Sequence, residues 1–248
     1  MGARGVSKQG EPPEWGGHDL IGVSLPEILG VLVMMQVHHA LTFSVAHPLT
    51  SPTSLPDVLY LVAVLLGLYL LCYGGAHFLL YRFEPTRKWL HRLKFNPAYP
   101  PLELQSAEMR RTLTSCLIGA AYEVALRIFV ERYWGWHHPA SLLAYLLEFP
   151  ATAIVSALLL VVWADFHFYA THRLLHTKHL YTHVHSVHHL SRNPTPWSGL
   201  SMHPVESTLY FSSLLGMCAL PMLLQQARMT TLWFSLIKTI LDFTPLFG

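Results

Sequence analysis

Long apolar runs separated by short polar stretches make up most of the chain. The clearest run extends from Leu55 to Tyr81, has Pro56 in its first turn and stops before Arg82. A helix needs about 20 mostly apolar residues to cross the hydrocarbon core of a membrane, and proline is well tolerated in a first helical turn. This run therefore predicts a membrane-spanning helix.

Five other apolar runs contain polar interruptions and give weaker predictions. In the first of them, His38 and His39 favour a kinked or partly interfacial helix. In the second, Glu123 and Arg127 lie four residues apart, so they can pair on one helical face, and the run fits either a span or an interfacial helix. The third is stronger and leads directly into a histidine-rich segment. The five runs are 20–46, 112–130, 141–164, 205–224 and 230–241.

The apolar runs together predict an all-α fold, a polytopic membrane bundle with a cytosolic, histidine-rich helical cap. Seven of the 16 lysines and arginines lie between positions 82 and 111, and such basic loops stay on the cytoplasmic side of membranes. If the helices pair as hairpins, residues 165–203 share that side. We predict three parts: a polar N-terminal segment (1–19), membrane-anchoring helices with the basic loop (20–149) and a histidine-rich domain (150–248).

Composition and charge narrow the class of protein further. Charged residues make up 12% of the chain, against about 25% in soluble proteins, which argues against an ordinary soluble domain. A net charge of +2 with neutral histidines provides no field for a polyanion, so nucleic acid is excluded as the main partner. Cys72, Cys116 and Cys218 lie singly in apolar runs and lack the spacing of zinc sites or disulfides. The N-terminus shows no pattern of a cleaved signal peptide.

Histidine is the residue type that points to chemistry. The chain has 17 histidines, and nine of them fall within residues 167–203. His172 and His176 are four apart, so on a helix both imidazoles project from one face. His185, His188 and His189 have the spacing i, i+3, i+4, which brings three imidazoles to one side of a helix. Imidazole suits iron, zinc and copper, so the two sets predict a metal site.

The other histidines have simpler interpretations. We interpret His38, His39, His47, His77 and His91 as hydrogen-bonded core or interfacial residues. The pair at 137 and 138 lies beside two tryptophans and resembles an interfacial aromatic belt. Positions 167, 179 and 183 fit either a ligand or a solvated histidine on another helical face.

Four motifs carry a resemblance to a known family. HRLLH at 172–176 is followed by HSVHH at 185–189, then by NPTPW and HPVE. In this order and spacing they resemble the fatty acid hydroxylase and sterol desaturase superfamily, the membrane-bound non-haem di-iron oxygenases. The resemblance covers residues 150–248, which would then form a fatty acid hydroxylase-like domain.

The resemblance implies a set of ligands and a reaction. The implied iron ligands are His172, His176, His185, His188 and His189. His203 and Asp165 would ligate weakly or orient a ligand through a hydrogen bond, which fixes its tautomer, and Glu206 would pair locally.

The implied enzyme lies in the endoplasmic reticulum membrane with its histidine boxes in the cytosol. Two irons would activate O2 to oxidise a C–H bond of a lipid, with electrons from NAD(P)H through an external cytochrome b5-like donor. Sterol desaturation, sterol-methyl oxidation and fatty acyl hydroxylation all fit.

One departure from the family pattern leaves other interpretations open. Members of this superfamily carry further histidine boxes, whereas no histidine follows His203 here, so we expect a C-terminally truncated sequence or an inactive form. A histidine-rich metal transporter or metal-binding membrane protein is an alternative. A bis-histidine haem protein fits less well, because its ligands face one another across two membrane helices.

Overall fold

A computed structural model describes residues 25–43, 54–90, 98–137, 147–224 and 229–243, together with the single positions 52, 144 and 245. The predicted polar segment 1–19 lies outside the described residues. So do His47 and His91.

Helices dominate the described residues, which confirms the predicted all-α fold. The one sheet in these ranges is a parallel pair of two-residue strands, β1 (Trp136–His137) and β2 (Met229–Thr230). A 3-10 helix covers His185–Leu190. The α-helices are α1 (Leu25–Thr42), α2 (Leu55–Arg82), α3 (Glu84–Leu90), α4 (Leu102–Tyr133), α5 (Pro150–Leu175), α6 (Lys178–His183), α7 (Pro204–Phe211), α8 (Ser213–Leu224) and α9 (Thr231–Phe243).

Helix α2 starts where the sequence predicts. Ser54 caps it through a capping box, because its hydroxyl accepts from the backbone N–H of Asp57 while the Asp57 carboxylate accepts from the backbone N–H of Ser54 at 3.1 Å. Pro56 occupies the first turn. Two π-helical turns, Leu70–Gly74 and Phe78–Arg82, interrupt the α-helical hydrogen bonding near its end.

Three helices are long and apolar enough to cross a membrane: Leu55–Arg82, Leu102–Tyr133 and Ile154–Leu175. Helix Leu55–Arg82 confirms the clearest prediction. Helix Leu102–Tyr133 contains the 112–130 run and is long enough to be a span. Helix α1 is shorter and has no break at His38 or His39.

The boundaries of the predicted 141–164 run were wrong. Helix α5 begins at Pro150, where proline fits the first turn, and continues to Leu175. Polar residues such as Asp165 and His167 lower the local hydropathy, but they leave the helical hydrogen bonds intact. The first histidine box therefore lies on a candidate membrane span and not in the loop that follows it.

A network of five buried ionisable side chains, which we call the buried ion network, joins helices α1, α4 and α9. The Glu123 carboxylate accepts from Arg127 Nε at 2.8 Å and lies 3.2 Å from His38 Nε2. Lys238 Nζ lies 3.6 Å from Glu123 and 2.6 Å from Asp242. Each of the five is at most 1% exposed. The predicted pairing of Glu123 with Arg127 is confirmed, and it lies in the protein interior.

The NPTPW segment, residues 193–197, ties the histidine-rich part to the spans. Thr195 donates to the buried carboxylate of Glu108 on α4 at 2.6 Å. Tyr81 on α2 donates to the carbonyl of Pro194 at 3.1 Å, and Trp197 stacks on Tyr73 with 5.8 Å between ring centroids. This segment thus connects the part of the chain that follows the second histidine box to α2 and α4.

Candidate metal centre

The two histidine boxes meet at the end of α5. His172 and His176 lie in and just after its last turn, and the 3-10 helix places His185 and His189 opposite them. Ring nitrogens face one another in a chain: the Nε2 atoms of His172 and His176 are 3.1 Å apart, those of His176 and His185 3.2 Å, and those of His185 and His189 3.1 Å. These four residues are the histidine cluster.

The geometry of the histidine cluster fits a metal ion. Two nitrogens that each lie about 2.1 Å from one ion at a right angle are about 3.0 Å apart, close to the distances found here. The ligand atoms of His172, His176 and His185 all lie within 4.8 Å of one another. A shared cation satisfies several converging lone pairs at once, whereas a proton between two nitrogens satisfies only one pair.

His185 is the most enclosed member of the cluster. It is fully buried, and its Nδ1 lies 2.8 Å from the carboxyl Oε1 of Glu206, which is 4% exposed. Burial, with a smaller contribution from the neighbouring histidines, lowers the pKa of His185 to about 4. The imidazole is therefore neutral near pH 7, which is the form that binds a metal.

Glu206 reaches His185 because of the HPVE motif. His203 caps α7 by accepting from the backbone N–H of Val205 at 3.2 Å, Pro204 takes the first turn, and Glu206 follows at the third position. Burial raises the pKa of Glu206 to about 8, although a hydrogen bond from the backbone of His203 lowers it.

Glu206 is the site residue that sequence reasoning missed. Its carboxyl was expected to pair locally, yet its partner lies 21 positions away. The signal available in the sequence was an acidic residue in the first turn of a helix that directly follows the two boxes.

His188 stands apart from the histidine cluster. In a 3-10 helix, residues three apart eclipse one another, and His188 stacks on His185 with 5.8 Å between ring centroids. Its Nδ1 is buried without a hydrogen-bond partner, and burial lowers the pKa of its imidazole. The prediction that all three histidines of the second box share one side assumed an α-helix, which the structure does not have there.

Asp165 and His203, the two predicted weaker ligands or orienting residues, are not members of the histidine cluster. Asp165 is exposed, and within the described ranges it makes no hydrogen bond to the histidine cluster. His203 serves as the cap of α7. The predicted role of each as a ligand or orienting residue stays a prediction.

The ambiguous histidines also lie outside the cluster. His167 Nε2 lies 3.0 Å from the hydroxyl of Ser212, which connects α5 to the start of α8. His179 and His183 face each other on exposed α6, with 4.8 Å between ring centroids. His38 belongs to the buried ion network.

A cleft of about 580 Å³ opens beside the histidine cluster. A smaller recess of about 60 Å³ continues from it toward His172 and Glu206. Both are bounded by Phe168, His188, Met202 and Tyr210. Apolar side chains and prolines thus form much of the wall between open space and the cluster.

The fold and the cluster together define a helical membrane protein with a histidine-rich centre suited to a metal. Residues 157–245 match the fatty acid hydroxylase family model. This part of the chain is therefore similar to the fatty acid hydroxylase and sterol desaturase superfamily, in agreement with the resemblance of its motifs.

Three relatives illustrate the breadth of that superfamily. The chain is 40% identical to a very-long-chain aldehyde decarbonylase of Oryza sativa subsp. indica over 37% of this chain and 33% of the relative. It is 35% identical to a methylsterol monooxygenase of Arabidopsis thaliana over 38% and 34% of the two chains. It is 40% identical to a Delta(7)-sterol 5(6)-desaturase of Gibberella zeae over 21% and 16%. The match thus spans about a third or less of each relative, and no solved structure matches.

Proposed function

We propose that the chain is part of a membrane-bound, iron-dependent oxidoreductase that oxidises a C–H bond of a lipid with O2. The observation that carries the proposal is the convergence of the ligand atoms of His172, His176 and His185 within 4.8 Å of one another, with His189 Nε2 3.1 Å from His185, beside an apolar-walled cleft. The names of the matched relatives, which act on sterols and very-long-chain aldehydes, support a lipid substrate.

The residues of the chain would divide the work as follows. The histidine cluster would hold an iron through neutral nitrogens, and His188 would contribute to a second iron together with ligands beyond these four. Bound iron would supply the reduction of O2 and the removal of hydrogen from an unactivated carbon. Phe168, Met202 and Tyr210 would hold an apolar chain beside the cluster and keep water from it.

The location and the electron source follow from the same proposal. The enzyme would lie in the endoplasmic reticulum membrane of a eukaryote with the histidine boxes in the cytosol. Electrons would come from NAD(P)H through an external cytochrome b5-like donor. The substrate is a sterol or a fatty acyl chain, and the reaction is a hydroxylation, a methyl oxidation or a desaturation.

The test is metal analysis of the purified chain in lipid nanodiscs, followed by lipid turnover with a cytochrome b5 and its reductase. We expect iron to be retained by the unmodified chain and lost in His176→Ala and His185→Ala. His179→Ala is the matched control, because that histidine lies between the boxes but outside the cluster. Iron content that is unchanged in both cluster variants would refute the site.

A further inference from the structure

Glu206 is a buried carboxyl whose hydrogen bonds are incomplete. Its Oε1 faces His185 Nδ1 at 2.8 Å, while its Oε2 has no hydrogen-bond partner among the residues that the structure describes. Within the described residues, the imidazole of His185 is the only basic side chain within 4 Å of the Glu206 carboxyl. Burying an ionised carboxylate without a positive partner is costly. The local structure therefore lacks the positive charge that would compensate an ionised Glu206.

A cation bound at the opposite edge of the His185 ring would supply that charge. The Nε2 of His185 faces the Nε2 atoms of His176 and His189 at 3.2 Å and 3.1 Å. A proton held on Nδ1 by Glu206 leaves the lone pair on Nε2, which is the atom that points at the other members of the cluster. Metal-binding histidines that donate their other ring N–H to a carboxylate are oriented in this way in many proteins.

We propose that Glu206 is a positioning residue that fixes the tautomer and the ring direction of His185 so that its Nε2 binds the metal. The proposal rests on the proposed function only in taking the histidine cluster as a metal site. Glu206 does not bind the metal itself; it acts through His185.

The position of α7 makes Glu206 suited to this task. The hydroxyls of Ser207 and Ser115 lie 2.6 Å apart, and Ser115 also donates to the carbonyl of Leu200 at 2.8 Å. Both serines are fully buried. These contacts fix α7 against the span α4, so the carboxyl that orients His185 is held by the membrane-embedded part of the fold.

The chain provides a matched control for Glu206. Glu108 is also a buried glutamate, accepts a hydrogen bond through one oxygen and has no partner on the other. Its partner is Thr195 and not a histidine. Glu206→Gln and Glu108→Gln therefore replace a carboxyl by an amide at two buried sites, and of the two residues Glu206 contacts the histidine cluster.

The experiment measures Zn²⁺ affinity of the full chain in detergent by competition with a chromophoric chelator, together with the visible spectrum of the Co²⁺-loaded protein. We expect Glu206→Gln to weaken Zn²⁺ binding about 10-fold and Glu206→Ala up to about 100-fold, with a shifted Co²⁺ spectrum in both. The Zn²⁺ affinity of Glu108→Gln should stay within about twofold of that of the unmodified chain, a change that is small beside the losses expected for the Glu206 variants. Its Co²⁺ spectrum should be unchanged.

Each result separates this inference from the proposed function. Affinity in Glu206→Gln that equals that of the unmodified chain, or an equal loss in Glu108→Gln, would overturn the positioning role and leave the metal site in place. Absence of Zn²⁺ binding by the unmodified chain would overturn the metal site and the positioning role together. If Glu206→Ala does not fold, the nearly isosteric Glu206→Gln decides the outcome.

Discussion

Glu123 is the residue whose replacement best tests the buried ion network. Its carboxylate faces Arg127, His38 and Lys238, and all four side chains are at most 1% exposed. In Glu123→Gln the amide keeps the shape and one hydrogen-bond acceptor but removes the negative charge. Lys238 still has Asp242 at 2.6 Å, so Arg127 is the group whose ion pair with Glu123 is lost.

The size of the effect follows from these contacts. Removing one partner of a buried ion pair costs about 3–5 kcal/mol, because the other charge stays buried. The guanidinium of Arg127 also lies 3.9 Å from the centre of the Phe43 ring, and this cation–π contact, which the variant keeps, favours the lower end of that range. We therefore expect a loss of about 3 kcal/mol. For a protein of this size that loss lowers the unfolding temperature by about 6–12 °C.

A double variant makes the reasoning refutable. Replacing a whole buried pair by neutral groups of similar volume is neutral or stabilising in measured cases, so Glu123→Gln combined with Arg127→Met should recover most of the loss. Thermal unfolding in detergent of both variants, followed by circular dichroism, measures the difference. A double variant no more stable than the single one would show that the buried charge of Arg127 is not the cause.

Two other predictions concern packing and the cleft. A Cβ at Gly216 would lie 2.2 Å from the Trp163 ring, so we expect Gly216→Ala to lower the free energy of unfolding by about 1–3 kcal/mol, measured by thermal unfolding. The control is Gly67→Ala, because a Cβ at Gly67 meets no described atom within 4 Å. An equal loss of stability in the control would contradict the explanation. Met202→Trp should fill the cleft, lower lipid turnover about 10-fold or more and leave Zn²⁺ affinity unchanged. Turnover equal to that of the Met109→Trp control, which alters a different cavity, would count against that cleft as the substrate site.

The local features of the fold could be predicted from the sequence, and the long-range ones could not. Ser54 and Pro56 mark the start of α2 because capping and proline geometry depend on neighbouring residues. The spacing of His172 and His176 likewise needs only one helix. The contact of Glu206 with His185 depends on how α7 returns to the second box, which no local pattern encodes.

The end of α5 shows a different limit of sequence reasoning. Asp165 interrupts the apolar run and suggested the end of the span, yet helix α5 continues for ten more residues. Hydropathy measures the preference of side chains for lipid, whereas the length of a helix depends on its backbone hydrogen bonds. The second histidine box forms a 3-10 helix and not the predicted α-helix. The sequence could not distinguish the two, since the spacing of His185 and His188 is compatible with both.

The π turns of α2 have a consequence for the register of this helix. Tyr69, Tyr73, His77 and Tyr81 recur every four residues, and in a regular α-helix each such step rotates a side chain by about 40°. A π turn has more residues per turn than an α-helix, so each residue rotates less and the drift is reduced. Tyr73 and Tyr81 can therefore reach Asp242 and Pro194 from the same helix. If the same residues were wound as a regular α-helix, the drift of about 40° at each step would return and would turn Tyr81 away from the segment that carries the second histidine box.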